Sequence, residues 1–391
     1  MSEWSDKAIG DLGTVVTGST PPSRHPDWFG NEVPFVTPSD MNEGDRRPSP
    51  GRCLSRLGRV GLKTRIVPAN AVAFVCIGAT IGKVCLLPTE SVTNQQINTI
   101  VPNSDTDSRF LYYLLRYAAQ GIAQGASGAA TPIINKSVFS SVVVRVPDLA
   151  TQIGIGQVLG SFDDLIENNR RRVEVLEEMA RAIYREWFVK FRYPGHSDVP
   201  MTDSALGPIP ERWMAGTIGD VLELKYGKAL KADARRGGGV AVVSSAGVVG
   251  WHDEMLVDGP AIVVGRKGNV GSVHWVDGPC WPIDTAYYVS TDLPLRFVAE
   301  QLRRSEFTNS HAAVPGLSRE AAYARPFLVP PSDLLASYQT LADSFGTQAA
   351  SLSWQSENLR ALRDLLLPKL VTGQIDVSTL DLDVLLEEAV A

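Results

Sequence analysis

A heptad pattern of apolar residues near the middle of the 391-residue chain constrains its fold more than any other feature. Between Ala150 and Arg192, apolar side chains recur at alternating steps of four and three residues. This spacing predicts a helix with one apolar stripe, and about 42 residues at ~1.5 Å each would extend roughly 60 Å. The stripe comprises Ile155, Leu159, Phe162, Ile166, Asn169, Val173, Leu176, Ala180, Ile183 and Trp187. A stripe of this length needs a packing partner.

A second stretch of the same kind follows Pro330 and can supply that partner. Phe345 and Leu359 repeat Phe162 and Leu176 at one constant displacement, and a Val-Pro pair precedes each stretch. The second stripe comprises Tyr338, Leu341, Phe345, Leu352, Leu359, Leu362 and Leu366, and Pro368 is expected to end its helix. Gln348, Gln355 and Asn169 interrupt the two stripes, as buried polar residues that fix helix register do. Two unrelated surface helices are the alternative, but they would not share a displacement and flanking prolines.

The segments before the two helices also repeat. Trp213, Ile218-Gly219 and Gly227 echo Trp4, Ile9-Gly10 and Gly18 at a second constant displacement. Residues 261–264 echo 73–76, and residues 268–273 echo 78–84 with one residue fewer. We therefore predict an α+β fold, built as a tandem duplication of a mixed α/β unit followed by a long helix. The predicted parts are residues 1–147 (first unit), 148–192 (central helix), 193–207 (linker), 208–330 (second unit), 331–375 (distal helix) and 376–391 (acidic C-terminal tail).

Local patterns predict the elements of the first unit. Continuous apolar runs predict strands at 33–36, 71–76, 84–87 and 142–144, of which 71–76 is expected to be buried. Residues 110–117 are predicted to form an apolar helix that ends before the glycine-rich stretch 121–128. The two units share this frame but differ in most side chains. Divergent faces on one frame are expected if each unit reads a different target, although neutral drift would give the same pattern.

Charge and composition limit the possible functions. The net charge of −6 argues against nucleic acid, but most of the acidity lies in the linker and the tail, and the first unit is slightly basic. The four cysteines and five histidines form no metal-ligand spacing. The N-terminus does not resemble a signal peptide, and no apolar run is long enough to span a membrane. We expect a cytoplasmic protein with reduced thiols, no metal and no cofactor.

Motifs of catalysis are missing or incomplete. Residues 78–83, Gly-Ala-Thr-Ile-Gly-Lys, have three residues between the glycines, and Val84 stands where a phosphate-binding loop needs Ser or Thr. We predict instead a turn between strands, with Lys83 free to reach a phosphate. Residues 125–128 lack the glycine spacing of a nucleophile elbow. The Asn/Asp-Pro-Pro-aromatic quartet of adenine methyltransferases does not occur, so the sequence does not indicate an enzyme.

Several runs resemble the specificity subunit of type I restriction–modification systems, and the resemblance spans essentially the whole chain. They are residues 157–169 (QVLGSFDDLIENN), 186–191 (EWFVKF), 207–213 (GPIPERW), 18–21 (GSTP), 93–96 (TNQQ) and 370–375 (LVTGQI). The resemblance implies two target-recognition domains separated by two antiparallel helices, each domain reading one half of a bipartite sequence in double-stranded DNA. It also implies that the helices set the unread spacer and dock two adenine methyltransferase (modification) subunits, which a translocase/nuclease (restriction) subunit joins.

One departure from the family pattern affects the distal helix. Residues 330–335 have no glutamine where Gln152 stands in the first copy. Docking by the distal helix is therefore less strongly implied than docking by the central helix. Apolar residues off the first stripe, Val158, Leu165 and Met179, either contact other subunits or widen the intramolecular contact.

Candidate DNA contacts lie on the predicted loops, where amides, hydroxyls and cations can reach bases and phosphates. They are Ser19, Thr20, Thr80, Lys83, Gln95 and Thr131 in the first unit, and Tyr226, Lys228, Arg266, Lys267, Asn269, Ser318 and Arg319 in the second. Each residue alone is more readily explained as a solvated loop residue, whereas the set of loop residues taken together is explained equally well by DNA contact. The main alternative function is a non-catalytic scaffold whose globular ends bind proteins, which the near-neutral second unit would suit. An autonomous enzyme is disfavoured by the missing motifs.

Overall fold

The structure, a computed structural model, describes residues 4–42, 44–125, 132–307, 316–382 and 384–386. It divides into two compact units, Met1–Arg170 with Trp354–Ala391, and Arg171–Ser353. Both units mix helices with strands, and two long helices pass through them, which confirms the predicted fold class.

The first unit is built on a four-stranded antiparallel sheet. Its strands lie in the order Gly13–Thr17, Ile97–Pro102, Val72–Val75, Val84–Leu86. All four residues of Val72–Val75 are buried, as the apolar run predicts. A five-stranded sheet (Phe29–Gly30, Cys53–Leu54, Val33–Val36, Ser91–Thr93, Ile66–Val67) and a pair (Ser5–Ala8 with Val143–Val146) complete its strands. Its shorter helices are Arg56–Gly61, Ser108–Gln124 and Lys136–Ser141, with 3-10 turns at Ile9–Asp11, Pro26–Trp28, Pro38–Asp40, Lys63–Arg65 and Val377–Thr379.

The predicted apolar helix of the first unit is longer than its apolar run. It begins after Asp107, whose carboxylate accepts the Phe110 N–H at 2.8 Å, and runs through Gly121 to Gln124. A helical glycine lowers stability but does not end a helix whose other face is buried, so the glycine-rich stretch was a poor boundary signal.

The second unit repeats the four-stranded sheet. Its strands lie in the order Glu223–Tyr226, Ala286–Ser290, Ala261–Gly265, Val273–Val276, again antiparallel. Smaller sheets join Gly247–His252, Val240–Ser244 and Cys280–Pro282, Met214–Thr217 with Pro326–Val329, and Met201–Thr202 with Ile209–Pro210. Its short helices are Ile218–Val221, Leu295–Arg304 and Arg319–Tyr323, with 3-10 turns at His196–Asp198 and Ala232–Ala234.

Matching hydrogen bonds confirm that the units are copies of one frame. The Gly18 N–H donates to the Ile97 carbonyl at 3.0 Å, and the Gly227 N–H donates to the Ala286 carbonyl at 3.1 Å. Val75 lies opposite Ile97 and Gly265 opposite Ala286, so residues 261–264 correspond to 71–74. The sequence comparison, which paired 261–264 with 73–76, was wrong by two residues. A shift of two leaves the inward–outward alternation of a strand unchanged, so the apolar pattern could not reveal it.

The central helix spans Leu149–Tyr184, and a π-helical turn, Arg185–Val189, extends it. Asp148 caps its start, because the Thr151 N–H donates to the Asp148 carboxylate at 3.0 Å, a hydrogen bond that lowers the pKa of that carboxyl. With the π-helical turn included, the helix ends at Val189, three residues before the predicted Arg192. The wider π turn also buries Phe188 in place of Trp187, which the heptad pattern had placed on the stripe and which is only half-buried.

The distal helix spans Ser332–Val371 and passes through Pro368, so the prediction that this proline ends it was wrong. Only one helical turn follows Pro368, so the kink that a proline causes can disrupt few further backbone hydrogen bonds of the helix. The Thr372 hydroxyl donates to the Pro368 carbonyl at 2.7 Å, and Gly373, with φ of +74°, ends the helix in the left-handed conformation that glycine adopts readily.

The two helices pack against each other antiparallel. In the first unit, the start of the central helix and the end of the distal helix share one core; in the second, the end of the central helix packs with the start of the distal helix. Ile155, Leu159, Phe162, Ile166, Asn169, Leu352, Leu359 and Leu366 are buried, whereas Val173, Leu176, Ala180, Ile183, Phe345 and Leu362 are half-buried. Leu341 is exposed and Ala342 is buried instead. Gln348 is also exposed, and Ser356 and Arg363 are the buried polar residues of the distal helix.

A buried ionic network joins the first globular unit to both long helices. Arg363 of the distal helix and Tyr113 of helix Ser108–Gln124 both donate to the carboxylate of Asp163 on the central helix. Arg46 donates to the neighbouring Asp164 and, at 3.2 Å, to the Gly160 carbonyl. Burial first, and then the nearby Asp163, hold the pKa of Tyr113 well above its usual value, so its hydroxyl remains a donor. The network orients the first globular unit on the helix segments that pack with it.

The segment after the distal helix packs back on the first unit. Trp4 lies so close to Gly373 that a side chain there would approach the Trp4 ring to 2.8 Å, and Val377 lies against Gly154 of the central helix. Its apolar residues Ile375, Val377, Leu380, Leu382, Leu385 and Leu386 pack against the first core. The sequence interpretation had characterised residues 376–391 of this segment only by their acidity.

Candidate nucleic-acid interface

Three loops meet at the same end of the four-stranded sheet in the first unit. The Ser19 N–H donates to the Thr93 carbonyl at 2.8 Å, and the Cys76 N–H donates to the Gln96 carbonyl at 2.7 Å. A Cβ atom on Gly18 would lie 2.1 Å from the Asn94 carbonyl oxygen, so this close approach requires glycine. The backbone thus fixes the three loops as one surface.

Four of the predicted contacts of the first unit lie on these loops. The Thr20 hydroxyl donates to the Gln95 amide oxygen, and both side chains are exposed. Ser19 and Thr80 are half-buried at the same end. Thr131 lies outside the described residues. The structure therefore brings together Ser19, Thr20, Thr80 and Gln95.

Lys83 is not free to reach a phosphate, contrary to the prediction. Its ammonium group donates to the carbonyl oxygens of Met41 at 2.8 Å and Pro38 at 3.3 Å. These acceptors belong to a loop far away in the sequence, so the pattern around Lys83 gave no signal of them. The lysine is a structural residue that ties two loops together.

Replacing Lys83 by methionine is expected to lower the free energy of unfolding by about 1–3 kcal/mol, because two buried carbonyls lose a charged donor. The salt dependence of binding to DNA, which is the ligand expected from the sequence, should stay the same. Lys228→Met, at an exposed lysine of the second unit, should do the opposite: unchanged stability, and a salt slope smaller by about one. Urea unfolding and binding at several salt concentrations would measure both. A reduced slope for Lys83→Met with unchanged stability would contradict the structural role.

The equivalent loops of the second unit are joined by the same kind of bonds. The Lys228 N–H donates to the Pro282 carbonyl at 3.0 Å, the Lys267 N–H to the Thr285 carbonyl at 3.0 Å, and the Leu317 N–H to the Arg266 carbonyl at 2.9 Å. A Cβ atom on Gly227 would lie 2.2 Å from the Ile283 carbonyl oxygen, as at Gly18. All seven predicted contacts of this unit lie on or beside these loops.

Tyr226, Arg266 and Arg319 form a compact cluster on this surface. The guanidinium carbons of Arg266 and Arg319 lie 4.9 and 4.5 Å from the centroid of the Tyr226 ring, which is 46% exposed. A hydrogen bond with Tyr287 and then the charge of Arg319 lower the pKa of Tyr226. Within the described part of the chain, no carboxylate lies within salt-bridge distance of either arginine. Their charge is therefore available to an anionic ligand.

The remaining predicted contacts differ in exposure and in whether their side chains hydrogen-bond within the protein. Lys228, Lys267 and Asn269 are exposed. The Ser318 hydroxyl accepts the Ala321 N–H at 3.1 Å and so caps the short helix that carries Arg319. Ser318 positions Arg319 as well as facing solvent.

Sequence interpretation missed a polar cluster at the loop end of the first unit. The Thr17 hydroxyl donates to Asn98 at 2.7 Å, and the Asn98 amide donates to the Cys76 sulfur at 3.2 Å. Burial raises the pKa of the Cys76 thiol to about 11, so the thiol stays protonated. The available signal was Asn98 itself, a polar residue inside an apolar strand.

Apolar residues off the helix stripe fall into two groups. Val158 is buried and Leu165 half-buried, and both pack against the core of the first unit, which supports the alternative that they widen the intramolecular contact. Val175 and Met179 of the central helix are 57% and 45% exposed, and they lie one helical turn apart on one face. On the distal helix, Trp354 and Leu365 are exposed.

Among the residues that the structure describes, no three His, Cys, Asp or Glu side chains are grouped so that they could hold a metal ion. None of the helices described is long and apolar enough to cross a membrane.

Comparison with known proteins connects this geometry to one family. Residues 1–178 match the family model described as the type I restriction modification DNA specificity domain. The type I restriction enzyme MjaIX specificity subunit of Methanocaldococcus jannaschii is 24% identical, over 97% of this chain and 95% of its own length. The HindI specificity subunit of Haemophilus influenzae is 31% identical over 44% of this chain and 39% of its own length.

A solved structure shares the fold over nearly the whole chain. The crystal structure of the type I restriction–modification system S subunit from M. genitalium superimposes with a TM-score of 0.62 at 17% sequence identity. The match covers 94% of this chain and 96% of that one.

Proposed function

The chain belongs to the specificity subunits of type I restriction–modification systems, and we propose that its two globular units each read one half of a bipartite DNA target. The chain itself would carry out no chemistry. Partner adenine methyltransferase subunits, two in the complete complex, would modify the site, and a translocase/nuclease subunit would complete the restriction complex.

The observation that carries this proposal is the repeated loop surface. Both units present loops joined by equivalent backbone bonds at the same end of an equivalent sheet. The side chains on the two surfaces differ: hydroxyl and amide groups dominate the first, and arginine, lysine and tyrosine the second. One frame with two chemistries is what a protein that reads two unlike half-sites requires.

The long helices would act as the spacer between the two half-sites. The central helix has 36 residues and the distal helix 40, and both are regular over most of their length. A helix rises ~1.5 Å per residue, so the number of residues in the pair would set the number of unread base pairs. The antiparallel packing, with buried Asn169 and Arg363, resists slippage of one helix along the other.

The exposed apolar residues on the helices are the proposed docking points for the methyltransferase subunits. Val175 and Met179 supply such a face on the central helix, and Trp354 and Leu365 on the distal helix. Large apolar side chains on an otherwise charged helix are typical of an interaction surface. Both helices therefore offer anchors, although the family glutamine is missing from the distal copy.

Inserting one heptad into the exposed middle of each long helix is expected to lengthen the unread spacer without changing either half-site. Seven residues keep the apolar stripe in phase and add about 10 Å, at most about three base pairs of DNA. Methylation mapping of a strain that carries the variant and its methyltransferase would give the new motif.

A matched control inserts seven Gly/Ser residues into the linker at Ser197, which lies outside both long helices. This variant should keep the wild-type spacer. An active double-heptad variant with an unchanged spacer would contradict the role of the helices as a ruler.

A further inference from the structure

Three positions at the loop end of the sheet correspond between the two units but carry different chemistry. Thr17 lies opposite Asn98, as Tyr226 lies opposite Tyr287. The carbonyl of Cys76 accepts the Ile134 N–H at 2.9 Å, as that of Arg266 accepts the Leu317 N–H at 2.9 Å. The corresponding pairs are therefore Thr17 and Tyr226, Asn98 and Tyr287, and Cys76 and Arg266.

In the first unit, these three positions form an uncharged cluster whose polar side chains hydrogen-bond to one another. Asn98 is 3% exposed and Cys76 is 2% exposed, and the hydrogen bonds from Thr17 to Asn98 and from Asn98 to Cys76 satisfy them. This position in the first unit contributes no charge to the loop surface.

In the second unit the same positions hold an oriented arginine at the surface. One terminal nitrogen of Arg266 donates to the Asp284 carbonyl at 3.1 Å, and its guanidinium lies over the rings of Tyr226 and Tyr287. The Tyr287 hydroxyl in turn donates to the Leu317 carbonyl at 2.9 Å, which fixes that ring. A planar group held by stacking and by a carbonyl loses little conformational freedom when it binds a ligand.

A neighbouring position carries a cation in both units. Lys136 and Arg319 each follow a helix-capping residue, Asn135 and Ser318, whose side chains accept backbone N–H groups at 2.9 and 3.1 Å. A positive charge that is present in both units is suited to contacting the DNA backbone, because both units need that contact. A charge present in only one copy suits a contact that distinguishes the half-sites.

We propose that Arg266 reads a guanine in the half-site of the second unit, whereas the first unit makes no such contact because Cys76 occupies the equivalent position. The inference rests on the proposed function. Guanine is the assigned base because its O6 and N7 accept two parallel hydrogen bonds from one guanidinium in the major groove. Tyr226, Tyr287 and the Asp284 carbonyl are positioning groups, and Arg319 contacts a phosphate.

The test is methylation mapping of Arg266→Gln in a strain that co-expresses the methyltransferase subunit. One guanine position of the second half-site should become degenerate, with discrimination reduced about ten- to a hundredfold, while the first half-site and the spacer persist. Arg266→Lys keeps the charge but not the planar fork, so it should lose the same discrimination. Arg303→Gln, at an arginine of a different surface helix that pairs with Glu300, should leave the motif unchanged.

Three results would overturn the inference. They are an unchanged motif for Arg266→Gln, full discrimination by Arg266→Lys, and degeneracy in the first half-site. If Arg266→Gln abolishes modification, competition binding by the purified complex decides: affinity lost at one base pair supports base reading, and affinity lost equally for all sequences contradicts it. A wild-type complex that yields no bipartite motif would instead contradict the proposed function.

Discussion

Replacing Arg363 by methionine is expected to lower the free energy of unfolding by about 3–5 kcal/mol. Arg363 is 1% exposed and pairs with Asp163, which is 6% exposed. Methionine fills similar volume but leaves the carboxylate of Asp163 buried with Tyr113 as its remaining donor in this network. The cost arises from that uncompensated charge rather than from lost packing. Urea unfolding of the full chain, followed by circular dichroism, would measure it.

The double variant Arg363→Met with Asp163→Asn separates the charge from the packing. The asparagine keeps an acceptor for Tyr113 but carries no charge, so the double variant should be more stable than Arg363→Met alone. Arg212→Met provides the surface control, because Arg212 and its partner Asp333 are 67% and 68% exposed and such pairs contribute little. If Arg363→Met is as stable as the wild type, the buried carboxylate of Asp163 does not need the charge of Arg363, and the prediction is wrong.

Replacing Phe188 by alanine is expected to destabilise the second unit by about 3–5 kcal/mol. The π turn directs Phe188 into an aromatic core, where its ring centroid lies 4.9 Å from that of Phe297 and 5.0 Å from that of Tyr338. Phe297 belongs to the globular part of the second unit and Tyr338 to the distal helix, so Phe188 ties this globular part to the helices. We expect faster hydrogen exchange at residues 295–304 as well as the lower unfolding free energy.

Trp354→Ala is the matched control, because Trp354 is an aromatic residue of a long helix that is 50% exposed. It should change the stability of the isolated chain little, while weakening the complex if the proposed docking surface is real. Equal destabilisation by both variants would contradict the anchoring role of Phe188.

Much of the architecture could be predicted because it depends on repeated patterns. Heptad spacing located both long helices, and glycines and apolar runs at constant displacement located the two copies of the globular unit. Gly18 and Gly227 were recognisable as a repeated pair, and the structure explains them by carbonyl oxygens where a side chain would lie. Such features are local or periodic, so a single sequence shows them.

The features that sequence did not predict depend on contacts between distant segments. Lys83 could be placed in a turn, but its carbonyl acceptors come from residues 38 and 41. The burial of Arg363 depends on its ion pair with Asp163. A charged residue in a heptad pattern is expected to be exposed to solvent unless its partner is known. The π turn at Arg185–Val189 changes the helical period by one residue, and no residue type signals it.

The most direct test of the central claim is single-molecule methylation mapping of a strain that expresses this chain with the proposed methyltransferase subunit, compared with a strain lacking the chain. The proposed function predicts a bipartite motif with methyladenine in each half, separated by a fixed unread spacer, and present only when the chain is expressed. A methylation pattern that is the same in both strains, although the purified complex assembles, would contradict it.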